Sequence, residues 1–354
     1  MDGKTIVSKN PALRGFFQKW CFLLLPALFF LGGCQEKPPV TGIVFLMDTV
    51  VEYKLYGPPK AGKAVEEALK AFESQCSRYI SGSDIDLLNQ AAGEKPVPLS
   101  PEIYDLLEQS RSYGAESNGV FDVTIAPVAD LWNITGDSPR IPSEREIREA
   151  LSLVGYEDII LEKNGNCMAA RKGQKIDLGG IGKGYACNIA RKTALDNDVT
   201  HGYVSIGGNV MVIGKKSRRE DFKFGIRDPR GGGNDYVAVI TLPDEIMATS
   251  GDYERYFEKD GIRYHHILDP ATGAPAQTDL MSVSVVAQDG AYADYMSTYL
   301  FIQGRQFALE HLNSFPCGLV LIDKEKNIYV SDNLTEQFCM ADKTGTYHYT
   351  GDAA

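Results

Sequence analysis

The sequence predicts an α+β fold in which mixed and antiparallel sheets carry packed helices. Three observations lead there. Helix-spaced segments crowd into residues 61–154. Short strand-like runs separated by turns dominate after Gly155. The two kinds never settle into strand–helix alternation. A doubly wound parallel sheet needs that alternation, whereas mixed runs fit α+β.

Residues 43–56 alternate well enough for one strand, closed by Gly57-Pro58-Pro59. Residues 61–78 place Val65, Ala68, Leu69 and Phe72 at helical spacing. A turn at 81–84 leads into a short helix over 85–91. Ser100-Pro101 starts the next helix, with Ser as cap and Pro at the first position, and Asn118-Gly119 ends it. Residues 120–132 are apolar with polar interruptions, and Ser143 with Glu146 starts a helix that reaches about Val154. Strands follow at 158–162, 167–170, 204–206, 210–213, 222–226 and 236–241, with one helix between them at 182–196. A strand at 281–287, helices at 292–303 and 305–313, and a strand pair at 318–322 and 328–331 close the chain.

The N-terminus stands apart. Lys4, Lys9, Arg14 and Lys19 precede a 12-residue apolar run, residues 20–31. That is short for a bilayer span, which needs about 20 residues, and right for a signal segment. It ends Leu31-Gly32-Gly33-Cys34, the form of a bacterial lipobox. Residues 1–33 are thus expected to be a lipoprotein signal peptide, Cys34 the lipidated residue, 34–42 a tether, 43–340 one domain and 341–354 a tail. The expected location is the bacterial cell envelope, on the extracytoplasmic or periplasmic face and held to the membrane by lipid.

The whole chain carries −11, and losing the +3 leader leaves about −14. Such a body is not built for nucleic acid, and an anionic ligand needs local help from glycine turns, helix N-termini or a metal. Cys76, Cys167, Cys187, Cys317 and Cys339 remain without a C-x-x-C pair, which excludes a zinc ribbon or a disulfide scaffold.

Five stretches combine Gly, Asp, Thr or His where a plain core would not need them. The first is Gly119-Val120-Phe121-Asp122-Val123-Thr124, whose Asp122 is either a site residue or a turn carboxylate capping nearby N–H groups. The second, KIDLGGIGKGYA over 175–186, runs from a strand through four glycines into a helix. It fits neither nucleotide pattern: Asp177 stands where the P-loop needs Gly, Gly184 where it needs Ser or Thr, and Tyr185 where the dinucleotide fingerprint needs its last Gly. Asp177 there could take a ribose hydroxyl or an adenine amine, and Lys183 a phosphate, or Lys183 could be a solvated helix lysine. The third, VSIGGN over 204–209, is a strand ending in Gly-Gly, weak as a lone signal and better read as a hairpin turn. The fourth is Ala248-Thr249-Ser250-Gly251-Asp252-Tyr253, followed by His265-His266-Ile267-Leu268-Asp269-Pro270-Ala271-Thr272-Gly273. A histidine before so tight a turn can serve as a base. The fifth sets Asp294, Ser297 and Thr298 on one helix face: hard oxygen ligands suited to Mg²⁺, or else a polar helix end.

Taken in order, these motifs, with Ser77-Arg78-Tyr79 and Ser83-Asp84-Ile85, closely resemble the ApbE family of periplasmic FAD:protein FMN transferases, from about Phe45 to Ser331. The resemblance implies an ApbE-like, T-fold-like architecture. It implies transfer of FMN from FAD to a Ser or Thr hydroxyl of an acceptor protein, forming a phosphoester and releasing AMP. It implies that Met47, Tyr79, Val120, Phe121, Asp122, Asp177, Lys183 and Ile267 line FAD. Mg²⁺, with Mn²⁺ as the other candidate, would sit at Gly180, Asp294, Ser297 and Thr298. His266 would be the base, with His265 its register competitor on the opposite strand face. The implied partners are FAD and acceptor subunits of membrane redox complexes or extracytoplasmic flavoproteins, carrying an Asp-x-x-Ser/Thr-Gly-Ala-Thr type of motif. Two departures stand out: Met47-Asp48-Thr49 where the family often has Met-Gly-Thr, and Gly180 where some members have Thr, Ser or Ala. An FAD pyrophosphatase and a non-catalytic FAD-binding carrier are the alternatives.

Overall fold

The structure is a computed structural model and describes residues 38–351. The expected leader, Cys34 and residues 34–37 of the tether lie outside the described residues.

A nine-stranded sheet forms the centre: β1 (Val40–Leu46), β2 (Thr49–Tyr56), β3 (His201–Ile206), β4 (Asn209–Ile213), β5 (Ile246–Gly251), β6 (Leu280–Ala287), β7 (Gly318–Asp323), β8 (Asn327–Val330) and β9 (His348–Tyr349). The strands lie side by side in chain order. All neighbours are antiparallel except the parallel pair β8–β9. The long connection between β2 and β3 carries α1 (Lys60–Cys76), α2 (Asp84–Gln90), α3 (Pro101–Glu116), α4 (Ala126–Trp132), α5 (Glu144–Leu151) and α6 (Gly182–Asp196). The connection from β6 to β7 carries α7 (Gly290–Glu310).

Side-chain alternation splits the sheet between two cores. Val51, Leu55, Val204, Ile206, Met211 and Val283 face α1, α6 and α7. Val210, Val212, Met247, Val320 and Ile322 face the other way, onto Phe222, Ile240 and Leu242 of a three-stranded sheet. With both faces covered, β4, β6 and β7 are buried along their whole length, so their sequences read as apolar runs rather than alternations. A third cluster gathers Val128 and Trp132 of α4, Ala150 of α5 and Leu268. Trp132 donates its indole N–H to the carbonyl of Gly273 at 2.7 Å, which docks the Asp269–Gly273 turn.

Three expectations change, and one pair of helices forms as expected. Residues 43–56 form a hairpin, not one strand, because Met47 and Asp48 both adopt φ 55° in a two-residue turn. The two helices expected at 292–303 and 305–313 are present within α7, separated at Gly304, whose φ of 83° and ψ of 175° are not helical. The Ser100 hydroxyl donates to Asp84 at 2.6 Å instead of capping α3. The domain also runs beyond 43–340. The sheet begins at Val40, and in the expected tail Tyr347 is buried, donates to Asp228, and leads into β9. The capping box of Ser143 and Glu146 forms as expected. Cys76, Cys167, Cys187, Cys317 and Cys339 are all free.

Candidate active site

The glycine turn is held from both sides. Asn89 brackets its start, accepting from the Ile176 N–H at 2.6 Å and donating to the Ile176 carbonyl at 3.0 Å. The Asp177 N–H donates to the Val123 carbonyl at 2.7 Å, which joins the turn to the 119–124 motif. Helix α6 starts at Gly182, and Gly184 in its first turn meets α7. A Cβ at Gly184 would lie 2.0 Å from the Gly290 carbonyl oxygen and 2.6 Å from the Asp294 Cβ. That closeness lets the Gly184 N–H donate to the Asp294 carboxylate at 2.8 Å. A lone carboxylate, 2% exposed, thus faces the positive end of α6.

Beside it runs a chain of hydroxyls. Ser297 Oγ donates to the Asp294 carbonyl at 2.9 Å and lies 2.8 Å from Ser250 Oγ of β5. Ser250 Oγ is therefore the donor to Ser297. Thr298 Oγ1, 3.2 Å from Ser250, then supplies the next proton in the relay. This leaves the lone pairs of Thr298 uncommitted, while Ser297 is fully buried and braces the row. Gly180 lies across from Thr298. A Cβ there would come within 3.7 Å of Thr298 Oγ1 and 3.2 Å of the Phe121 ring. No group of three or more His, Cys, Asp and Glu that could hold a metal occurs among the described residues. One carboxylate, one hydroxyl and a backbone carbonyl are nonetheless a hard-oxygen set, which fits Mg²⁺ that keeps waters and phosphate oxygens.

At the other end of the turn Arg78 pairs with Asp177 at 3.0 Å and with Asp130 at 2.8 Å, while Lys175 also pairs with Asp130 at 2.7 Å. Asp177 takes a further N–H from Gly179 at 2.8 Å. The Arg78 guanidinium lies 4.6 Å from the Tyr79 ring centroid and donates to the Tyr79 hydroxyl at 2.7 Å. Tyr79 is 75% exposed, so one ring face stays open to a ligand. Val120 is half-buried and Phe121 packs edge-on against Tyr295 at 5.1 Å. Asp122 is committed elsewhere. One oxygen accepts from the Thr124 N–H and hydroxyl at 2.8 and 2.6 Å, and the other from the Tyr156 N–H at 2.8 Å. Burial still pushes its carboxyl above the ordinary value. Its side chain thus closes the turn and ties it to Tyr156.

His266 stands at the end of the strand Ile262–His265 and is half-buried. Its imidazole is pushed down to about 3, by burial first and then by the Lys183 ammonium. Lys183 Nζ reaches only the Gly179 carbonyl, at 3.5 Å. His265 is buried, bonded through Nε2 to the Ala276 carbonyl at 3.0 Å and edge-on to Phe301, which makes it structural. Ile267 is buried beside it. Met47 sits at the β1–β2 turn, its N–H donated to Glu73 at 2.8 Å. Next to it, Arg255 grips Asp48 by its carboxylate at 2.8 Å and its carbonyl at 3.0 Å. Asp48 and Arg255, with Tyr256, Glu254, Thr135 and Ile134, line a cavity of about 340 Å³.

Sequence reasoning assigned no role to Arg255, Arg78, Asp130 or Ser250. Arg78 and Ser250 lie inside quoted motifs, but only the fold pairs them with Asp177 and Thr298. Arg255 and Asp130 lie outside any motif.

The model of the ApbE family matches residues 47–321. An FAD:protein FMN transferase of Treponema pallidum is 30% identical over 344 residues, covering 90% of this chain and 95% of that protein. Among solved structures, the ApbE protein of Thermotoga maritima superposes with a TM-score of 0.79 at 33% identity, covering 84% of this chain and 99% of that one. The apo flavinyl transferase ApbE of Pseudomonas stutzeri gives 0.76 at 26% identity, covering 86% and 98%.

Proposed function

The chain belongs to the ApbE family, and we propose, from that membership and from the Asp294 and Thr298 oxygens that α7 sets against the glycine turn, that it is an FAD:protein FMN transferase joining FMN to a Ser or Thr hydroxyl of an acceptor protein. The acceptor oxygen bonds to the flavin-side phosphorus of FAD, the bond from that phosphorus to the bridging oxygen breaks, and AMP leaves with that oxygen. The acceptor's proton goes to the uncommitted nitrogen of His266.

The residues divide the work. Tyr79 offers its open face, and Asp177, fixed by Arg78, offers a carboxylate to the adenosine end. Lys183 offers an ammonium to the phosphates, and Met47 and Ile267 flank the flavin end. The Gly180 carbonyl, Asp294 and Thr298 would hold Mg²⁺, with Ser297 and Ser250 aiming Thr298. The ion would neutralise pyrophosphate charge and ease departure of AMP. Holding the acceptor hydroxyl in line supplies much of the remaining rate.

We further propose that the mature chain is a lipoprotein anchored through Cys34 on the extracytoplasmic side of the cell envelope. Its acceptors would then be subunits of membrane redox complexes or extracytoplasmic flavoproteins. The lipobox and the apolar run of residues 20–31 support this.

The observation that carries the catalytic reading is that α7 sets two oxygens against the glycine turn: Thr298 Oγ1 stands across from Gly180, and the buried Asp294 carboxylate takes the N–H of Gly184, the residue after Lys183. The test is mass spectrometry of an acceptor domain incubated with the enzyme, FAD and Mg²⁺. A mass gain equal to FMN, lost on mutating the acceptor Thr, is expected. Free FMN and AMP without an adduct would instead show a pyrophosphatase, and unchanged bound FAD a carrier.

A further inference from the structure

The first strand of the central sheet is an unguarded edge. β1 pairs with β2 alone among the described residues. Its seven residues, VTGIVFL, include no charge, no proline and no register shift, and they offer an open edge about 23 Å long. Its outward face carries Thr41, Ile43 and Phe45, with Glu52 of β2 across from Ile43, and its apolar part lies toward the Met47 turn. Ile43 is 72% exposed, Phe45 69%, and Val50, directly across from Phe45 on β2, 56%. The opposite face is spent on the core: Val51 and Tyr53 of the hairpin pack under α1. Edges of this kind are normally blunted by lysine, proline, bulges or brevity. The rest of this molecule follows that rule. The edge strand Phe222–Arg227 carries outward Lys223 and Arg227 and a register shift, and β9 is two residues long.

The unguarded edge also leads to the active site. β1 ends at Leu46, and the next two residues are the turn whose Asp48 is clasped by Arg255 at the cavity mouth. The Arg255 carbonyl in turn holds His266. A strand laid along β1 therefore delivers whatever follows it to the cavity.

Resting on the transferase reading, we propose that β1 is the docking edge for the acceptor protein. An extended segment of the acceptor adds to the sheet beside β1 as a tenth strand. Its backbone supplies the hydrogen bonds, and its alternate apolar side chains cover Ile43, Phe45 and Val50. The hydroxyl-bearing turn next to that segment then enters past Asp48. Backbone pairing is tolerant of sequence, which suits an enzyme whose second substrate is a folded protein recognised outside its short modified motif.

The test uses the full chain in detergent and a folded domain carrying an Asp-x-x-Thr-Gly-Ala-Thr motif. The double variant Ile43→Lys/Phe45→Lys changes two exposed side chains outside the catalytic machinery. FAD affinity and melting temperature, measured first, are expected to match wild type. Adduct formation should then show KM for the acceptor raised at least tenfold with kcat held. An unchanged kcat/KM would overturn the proposal. So would a wild-type dimer, seen by sedimentation, that becomes monomeric in the variant while acceptor kinetics stay the same. If wild type forms no adduct at all, the transferase reading fails by itself. Direct binding of the domain then decides the edge: loss in the variant supports it and retention overturns it.

Discussion

The backbone carbonyl of Arg255 accepts two hydrogen bonds from His266, from its N–H at 3.0 Å and from Nδ1 at 3.3 Å. A carbonyl has no proton to give, so Nδ1 carries one and the lone pair sits on Nε2. The tautomer that the proposed base needs is thus set by the same residue whose side chain clasps Asp48. His266→Ala should keep FAD affinity, read by flavin fluorescence, and lower transfer by about 10²–10⁴-fold. Undiminished transfer would remove His266 from the mechanism.

The same histidine predicts a pH dependence. Burial and Lys183 keep its folded-state value near 3, whereas in the unfolded chain it protonates near 6.5. Between those values the unfolded state binds more protons, so His266 erodes stability as pH falls through that window and leaves it untouched above. Urea unfolding at about pH 4.5 and about pH 7.5 should show a smaller loss for His266→Gln than for wild type. Equal losses would mean that the ring is not held neutral. In wild type the acid limb of kcat/KM should lie below the ordinary histidine range.

The Asp294 carboxylate accepts the Gly184 N–H and has a proposed metal role, and substitutions can separate the two. Asp294→Asn keeps an oxygen for the Gly184 N–H but loses the charge. It should fold normally and lose stimulation of AMP release by Mg²⁺. Asp294→Ala also orphans a buried donor and should cost about 1–3 kcal/mol in addition. Chemical denaturation together with a Mg²⁺ titration of AMP release distinguishes the two. A mutant still stimulated by Mg²⁺ would refute the metal role.

The two glycines of the turn should respond differently to alanine. At Gly184 the new methyl meets backbone at 2.0 Å, so the helices must part, at a cost of about 3 kcal/mol. At Gly180 the nearest atom is the Phe121 ring at 3.2 Å, which can yield, so the protein should fold with little loss. Melting curves of the two variants check the order.

What was legible in the sequence was what local pattern controls. The helix 182–196 and the Ser143 capping box follow from spacing and cap chemistry. The hairpin at Met47-Asp48 did not show, because neither residue is one of the glycines or asparagines that usually mark positive φ. β5 was not recognised as a strand, because its Thr249 and Ser250 face partners from β4, β6 and α7 rather than a uniform core. The fifth motif placed Asp294, Ser297 and Thr298 on one helix face. Local spacing could not say that Ser297 would be buried against Ser250 while Thr298 kept free lone pairs. Asp122 was open to two readings in sequence, and its partner Tyr156, 34 positions away, is a tertiary fact. Arg255 sits outside every motif, and its importance comes wholly from what the fold brings to it.

Because the nine strands stand in chain order, the two ends of the domain leave from opposite margins of the sheet. A pull on those ends loads the outermost rows first, one ladder at a time, like opening a zipper, and not all hydrogen bonds in parallel as in a shear. A domain pulled by its two ends in this way yields from its margins inward at modest force. The β5–β6 interior, where Ser250 and Ser284 lie, would be the last part to come undone.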